Sequence, residues 1–309
     1  MSNQTLFPVW LQNSIAKKGG KYLSNFKKAQ NNLNNSHEDN LNYLHTYFPR
    51  TLNEVQNIFN LLEETSSLFN YINYKKNIKI LSIGCGTGAD VIGILFSLKD
   101  KFKSANFDIS LIDGNEDALN QCSDLLDDFI YNEQVPINKN IYNFQIKNIN
   151  DFKEIAKNFA DNKFDFIITS KFLNELLNII NNPYGNFVNI FKSCLSQDGV
   201  MILLDTTNRV IDDYNPVFLN FEINKDLEKD PDFACLLPIP CRLSRSCNKK
   251  CFTCFKNKYE NKYTFKVISR TRFTEEICNK KLNICEKYFA IVGSVRNPSN
   301  FRLCPNFIN

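Results

Sequence analysis

The chain has 309 residues, 43% hydrophobic and 23% charged, with a formal net charge of +4. No apolar run reaches the roughly 18–20 residues of a membrane span, and Leu6–Leu11, broken by Pro8, is too short for a signal-peptide core. A cytoplasmic globular protein with no membrane partner is therefore expected, its 11 cysteines serving as thiols or metal ligands and not as disulfides.

Residues 1–76 read as a helical N-terminal extension. Residues 1–37 contain lysines but neither acid nor arginine and are rich in Asn, which leaves a transit peptide as a secondary reading. Asn31 to Asn42, with His37, reads as a polar loop. Glu54 to Tyr71 places Val55, Ile58, Phe59, Leu61, Leu62 and Leu68 at helical spacing and predicts a helix leading into a core.

Residues 77–211 alternate strands with helices. Strands are expected at Ile78–Ile83, Phe107–Ile112, Phe144–Lys147, Phe164–Thr169 and Val200–Leu204. Helices are expected at Val91–Leu98, Asp117–Ile130, Asp151–Phe159, Phe172–Ile180 and Phe187–Leu195. That order predicts an α/β fold: a mainly parallel, doubly wound sheet with helices on both faces. Residues 212–262 read as an irregular, cysteine-rich insertion. Within 263–309, Tyr263–Ser269 and Tyr288–Val295 are expected to form an antiparallel hairpin on the sheet edge.

The most informative stretch is Ile80–Asp90, where a strand runs into Gly84, Gly86 and Gly88 and then a helix. Glycines suit a sharp bend and a close ligand approach, and the helix N-terminus offers free N–H groups. The spacing is Gly-x-Gly-x-Gly, not the dinucleotide Gly-x-Gly-x-x-Gly. The second strand ends at Asp113-Gly114, where a carboxylate can accept two ribose hydroxyls.

In these residues the chain resembles the class I S-adenosylmethionine (SAM)-dependent methyltransferases, over roughly Asn77–Thr206 plus the last two strands. The resemblance implies a Rossmann-like fold with an antiparallel last strand, and SAM as cofactor. Gly84, Cys85, Gly86 and Gly88 would wrap its methionine part, with Asp113 and Gly114 at the ribose. Asn148 would meet the adenine amino group, Ile149 would pack on the ring, and Ser170 would border the substrate entrance. Ser82 stands where that family has Asp or Glu, and Asp90 is a candidate to compensate. A Rossmann-like domain that no longer binds SAM is the bland reading of the same features.

No catalytic residue is assigned. Glu175 and Asp205 lie near core strand ends, where either can equally be a cap or a solvated acid. Asn182-Pro183-Tyr184 is like the Asn-Pro-Pro-Tyr of amino-methylating enzymes but lies a helix too late and lacks one proline. It reads as a turn between helices.

Cys235, Cys241, Cys247, Cys251 and Cys254 lie within 20 residues, followed by Cys278, Cys285 and Cys304. Cys241, Cys247, Cys251, Cys254 and Cys304 are the candidate metal ligands, for zinc or a [4Fe–4S] cluster; unligated thiols are the alternative. Cys247-x3-Cys251-x2-Cys254 has radical-SAM spacing but follows the core instead of opening a barrel. Tyr43–Thr51, Phe164–Leu176 and the cysteine segment are similar to a ribosome-associated methyltransferase-like family. That resemblance implies an iron–sulfur cluster completed by a distant cysteine, Cys304 or Cys285.

Residues 241–309 hold 15 Lys/Arg against 4 Asp/Glu, a net of +11 that leaves −7 on residues 1–240. Interleaved with Phe255, Tyr259, Tyr263, Phe265 and Phe273, this charge suits a polyanion. A solvated basic face over core aromatics is the alternative. The expected partner is RNA or a ribosomal particle, met by Lys249, Lys250, Arg270 and Arg272, with His45 and Arg50 as further contacts. The competing classes are a non-catalytic, metal-cluster-bearing assembly factor and a small-molecule or protein methyltransferase.

Overall fold

The computed structural model describes residues 7–23, 32–206, 218–228, 230–237, 251–253, 255–256, 262–273, 290–292 and 302–303, with backbone only at 251–253, 255–256, 262, 290–292 and 302–303. Helices α1 (Val9–Lys18), α2 (His37–Thr46), α3 (Phe48–Thr65) and α4 (Leu68–Ile72) come first. The core follows as β1 (Asn77–Ile83), α5 (Ala89–Leu98), β2 (Asn106–Asp113), α6 (Glu116–Glu133), β3 (Ile137–Asn143), α7 (Ile149–Asn158), β4 (Phe164–Ser170), α8 (Pro183–Phe191) and β5 (Leu195–Thr206). Then come α9 (Phe218–Leu227), β6 (Phe233–Leu237), β7 (Cys251–Thr253), β8 (Phe255–Lys256), β9 (Lys262–Arg270), β10 (Ala290–Val292) and β11 (Arg302–Leu303).

Two compact units divide the chain, Met1–Leu61 with Asn73–Ile146, and Leu62–Ile72 with Lys147–Asn309. In the first, β1, β2 and β3 pair in parallel, with Ile80 opposite Ile109 and Ile109 opposite Lys139. β1 and β2 bury most of their side chains, including consecutive ones, as a parallel sheet covered on both faces requires. Helix α3 turns Leu52 and Val55 inward, and α5 comes so close that a Cβ on Gly93 would sit 3.0 Å from Val55.

In the second unit β4 and β5 are parallel, β9 is antiparallel to β5, and β6 is antiparallel to β9. Parallel strands joined through helices and closed by antiparallel strands make this a Rossmann-like α/β fold.

Four expectations are corrected. The third strand is Ile137–Asn143, not Phe144–Lys147. It is an exposed, largely polar strand, so its sequence carries no apolar signal, while the apolar Phe144 and Ile146 belong to the segment after it. The expected helix Phe172–Ile180 is a 3₁₀ turn at Leu173–Leu176 followed by turns. The Asn174 side chain donates to Lys171 O and Asp205 Oδ1, both at 2.7 Å, a competing arrangement for the backbone. The polar loop at Asn31–Asn42 holds a 3₁₀ turn, Asn32–Asn34, and the start of α2, which a Ser36–Asp39 capping box opens. Finally, among the described residues β10 pairs with β7 and β11, not with β9, while β9 pairs with β5, β6 and β8, the last two from the segment expected to be irregular.

Candidate cofactor site

At the end of β1 the chain turns at once. Gly84 and Cys85 donate their N–H groups to the carbonyl of Ile112, at 2.8 and 3.2 Å, tying the glycine loop to the strand that delivers Asp113. The Gly86 N–H donates to Asp113 Oδ2 at 2.7 Å, and the Asn115 N–H donates to Oδ1 at 2.8 Å. Burial pushes the Asp113 carboxyl up, against the pull of the N–H groups of Asn115, Gly86 and Gly114.

Gly86 has a φ of 50°, and a Cβ there would meet nothing within 4 Å, so open space lies over the loop. Gly88 begins α5 at a φ of 83°, and its missing Cβ makes room for Cys122 Sγ, which a Cβ would approach to 2.3 Å. No side chain caps α5. Beside that helix end the Thr87 hydroxyl is buried and has no hydrogen-bond partner. An uncapped helix N-terminus with an orphaned buried hydroxyl is a seat for a polar ligand.

Below the loop, the Ser82 hydroxyl donates to Asp90 Oδ2 at 2.6 Å, and the Val91 N–H donates to Asp90 Oδ1 at 2.8 Å. Burial raises the Asp90 carboxyl to about 6, with the Ser82 hydrogen bond opposing it. Cys85 is no nucleophile: its hydrogen bond with the Cys122 thiol, then burial, hold it well above the ordinary thiol range.

The remaining expected residues lie in the second unit. Asn148 is five residues beyond β3, not at its end, and is the N-cap of α7. Its side chain accepts from Asn150 N–H at 2.8 Å, while Asp151 accepts from Asn148 N–H at 2.8 Å. Ile149 is the first residue of that helix and is half-buried. Ser170 ends β4, and both its hydroxyl and that of Thr169 are buried without a partner.

Lys171, immediately after, has a φ of 58°, an unusual conformation for a non-glycine residue. Asp205 is a hydrogen-bonded anchor: it accepts from Tyr184 Oη and Asn174 Nδ2, both at 2.7 Å, and burial raises it to about 6. Pro183 is the first residue of α8, so Asn-Pro-Tyr is a helix start after a turn. Glu222 on α9 accepts the Tyr184 N–H at 2.9 Å and is pushed by burial to about 7.

The structure thus brings Gly84, Cys85, Gly86, Gly88, Asp113 and Gly114 into one site. Thr87, Cys122 and Asn115 belong with them and were not singled out from sequence. Thr87 carried a signal, a hydroxyl between two motif glycines. Asn115 carried one too, an N-cap type just before Glu116 and Asp117.

Cys241, Cys247, Cys254 and Cys304, with Lys249 and Lys250, lie outside the described residues, and of Cys251 only the backbone is described. Among the described residues no group of His, Cys, Asp and Glu is suited to hold a metal ion. No described helix is long and apolar enough to cross a membrane.

A family model described as "methyltransferase domain" matches residues 52–236, the glycine loop and Asp113 included. The chain belongs to the methyltransferase-domain family. It is a methyltransferase.

Among solved structures, this methyltransferase is similar to a loganic acid methyltransferase with S-adenosylhomocysteine (SAH), at 11% identity and a TM-score of 0.45, over 77% of this chain and 97% of that one. It is also similar to a SAM-dependent methyltransferase from Methanosarcina mazei, at 14% identity and 0.40, over 65% and 96%. A third is the O-methyltransferase from Bacillus cereus in complex with SAH, at 12% identity and 0.40, over 71% and 90%. No curated protein matches the chain.

Proposed function

We propose that this methyltransferase holds SAM on the glycine loop between β1 and α5 and transfers its methyl group to RNA, with ribosomal RNA or a ribosomal particle as the natural acceptor. The observation that carries the cofactor reading is the Asp113 carboxylate, half-buried at the end of β2 and bonded to the Gly86 N–H of the glycine loop. Bound SAM supplies a methyl group already activated on a sulfonium. The residues have only to bind, orient and exclude water.

In this reading Asp113, beside Gly114, accepts the ribose hydroxyls. Gly84, Cys85 and Gly86 give the methionine part a wall without side-chain obstruction. Thr87 and the start of α5 receive the carboxylate, Gly88 lets α5 begin close to Cys122, and Asp90, held by Ser82, supplies the acid for the amino group. Asn148, Ile149 and Ser170 take the adenine and entrance roles, Asn148 through its exposed side chain. A metal held by Cys241, Cys247, Cys251, Cys254 and Cys304 remains part of the proposal as a folding element of the basic segment.

The RNA reading is supported by the +11 charge of residues 241–309 and by guanidinium groups resting on aromatic faces. Arg270 lies 4.5 Å from the Phe233 ring centroid, and Arg272 lies 4.7 Å from that of Phe273. Tritiated SAM with total RNA and ribosomal subunits, at rising salt, tests it. Label in RNA that falls with salt and with Arg270→Ala/Arg272→Ala supports the assignment. Label confined to protein or small molecules would replace the acceptor, and SAM binding without transfer would make the chain an assembly factor.

A further inference from the structure

The N-terminal segment is fastened to the loop that carries Asp113, and one side chain makes most of the connection. Asn115 follows Asp113 by two residues and caps α6, its Oδ1 accepting from the Ala118 N–H at 3.0 Å. The same Oδ1 accepts from Asn40 Nδ2 on α2 at 3.1 Å. Its Nδ2 faces three backbone carbonyls of the segment before α2: Asn32 at 2.9 Å, Asn35 at 3.3 Å and Leu33 at 3.4 Å. Its own N–H meanwhile holds Asp113 Oδ1. Asn115 and Asn40 are both buried, at 7% and 3% exposure.

Two further contacts follow the same line. Asn40 Nδ2 also donates to Asp117 Oδ2 at 2.8 Å, and His37 Nδ1 lies 2.7 Å from Asp117 Oδ1. Leu33 packs where a side chain on Gly114 would stand, since a Cβ there would come within 2.5 Å of Leu33 Cδ1. Gly114 is therefore needed for the close approach of residue 33.

We infer that Asn115 is a positioning residue that couples residues 32–46 to the Asp113 carboxylate, making this part of the N-terminal extension a working component of the cofactor site. A helix cap needs only the side-chain oxygen. The amide nitrogen, spread over three carbonyls outside the helix, has no role in capping and every role in the coupling. The inference rests on the proposed placement of SAM at Asp113. It goes beyond that placement in assigning function to a segment outside the sheet and its crossover helices.

The test uses the full chain with SAH as the probe, titrated calorimetrically, and hydrogen exchange on α2. Asn115→Asp keeps an acceptor for Ala118 while removing the Nδ2 donor. Asn40→Ala cuts the tie from α2 without touching the Asp113 loop itself. Each is expected to weaken SAH binding roughly tenfold, the worth of a buried hydrogen bond, and the double variant to be little worse than either single one. In the wild type, SAH should slow exchange at residues 37–46, and both variants should lose that protection, which a helix cap alone would not control.

Unchanged SAH affinity in a folded Asn40→Ala variant, or SAH binding with no protection of α2, would overturn the inference while leaving the cofactor site in place. A wild type that does not bind SAH would overturn the cofactor placement itself, and the coupling with it. If Asn115→Asp does not fold, Asn40→Ala alone decides.

Discussion

Ser82 and Asp90 share a hydrogen bond of 2.6 Å, eight residues apart in sequence and both buried, one at the end of β1 and the other in the first turn of α5. The Asp90 carboxyl on the helix is thus held by a hydroxyl from the strand, in the place the proposal gives to the amino group of SAM. The arrangement makes Asp90 a liability for folding and an asset for an ammonium ligand. Asp90→Asn should therefore raise the thermal midpoint at pH 7.5, by about 2–4 °C, and weaken SAM binding. A calorimetric scan beside a SAM titration checks both. A variant that loses stability and keeps its affinity would give Asp90 a purely structural role.

The pH dependence of stability follows from the same burial. Asp90 and Asp205 have folded values of about 6 against the usual 3.8, and Glu222 about 7 against 4.5. The folded state then binds more protons than the unfolded state between the two values of each group, so stability falls as pH rises through that window. Above the folded value the full penalty is present. The thermal midpoint should be higher at pH 5.5 than at pH 8, and the difference should shrink in Glu222→Gln. A flat or rising midpoint from pH 5.5 to 8 would contradict this.

Tyr184→Phe removes the hydroxyl that donates to Asp205 Oδ2 and leaves a buried carboxylate short of a partner. Loss of such a bond costs about 1–3 kcal/mol, and urea unfolding at pH 7.5 should show it. Because the defect is an unsatisfied charge, the loss should narrow at pH 5, where Asp205 is protonated.

Gly88→Ala places a methyl group against Cys122 Sγ and forces a φ of 83° on alanine. Destabilisation of about 2 kcal/mol is expected, from the left-handed backbone and the clash together. Cys122→Ala in the same chain should return the steric part and not the backbone part. Complete rescue would make the strain negligible, and no rescue would make the thiol contact irrelevant.

Much of this was legible in the sequence, for reasons particular residues make plain. β1, β2 and β4 are buried on both faces, so their apolar runs announce them, and the glycines with Asp113 mark the loop that follows β1 and the end of β2. β3 was misplaced because its Ile-Asn-Lys-Asn-Ile-Tyr-Asn lies exposed and reads as coil. The 3₁₀ turn after β4 was hidden because Asn174 acts through bonds to residues 3 and 31 positions away. Asn115 was hidden likewise: its partners Asn32 to Asn40 are about 80 residues distant, and no local pattern encodes that meeting.

The most direct test of the account is SAH binding to the wild type and to Asp113→Ala, by isothermal titration calorimetry at one pH. The account predicts a single site in the wild type and an affinity reduced at least about tenfold in the variant, as expected when a half-buried charged acceptor is removed. Equal affinity in the two proteins, or none in a folded wild type, would contradict it.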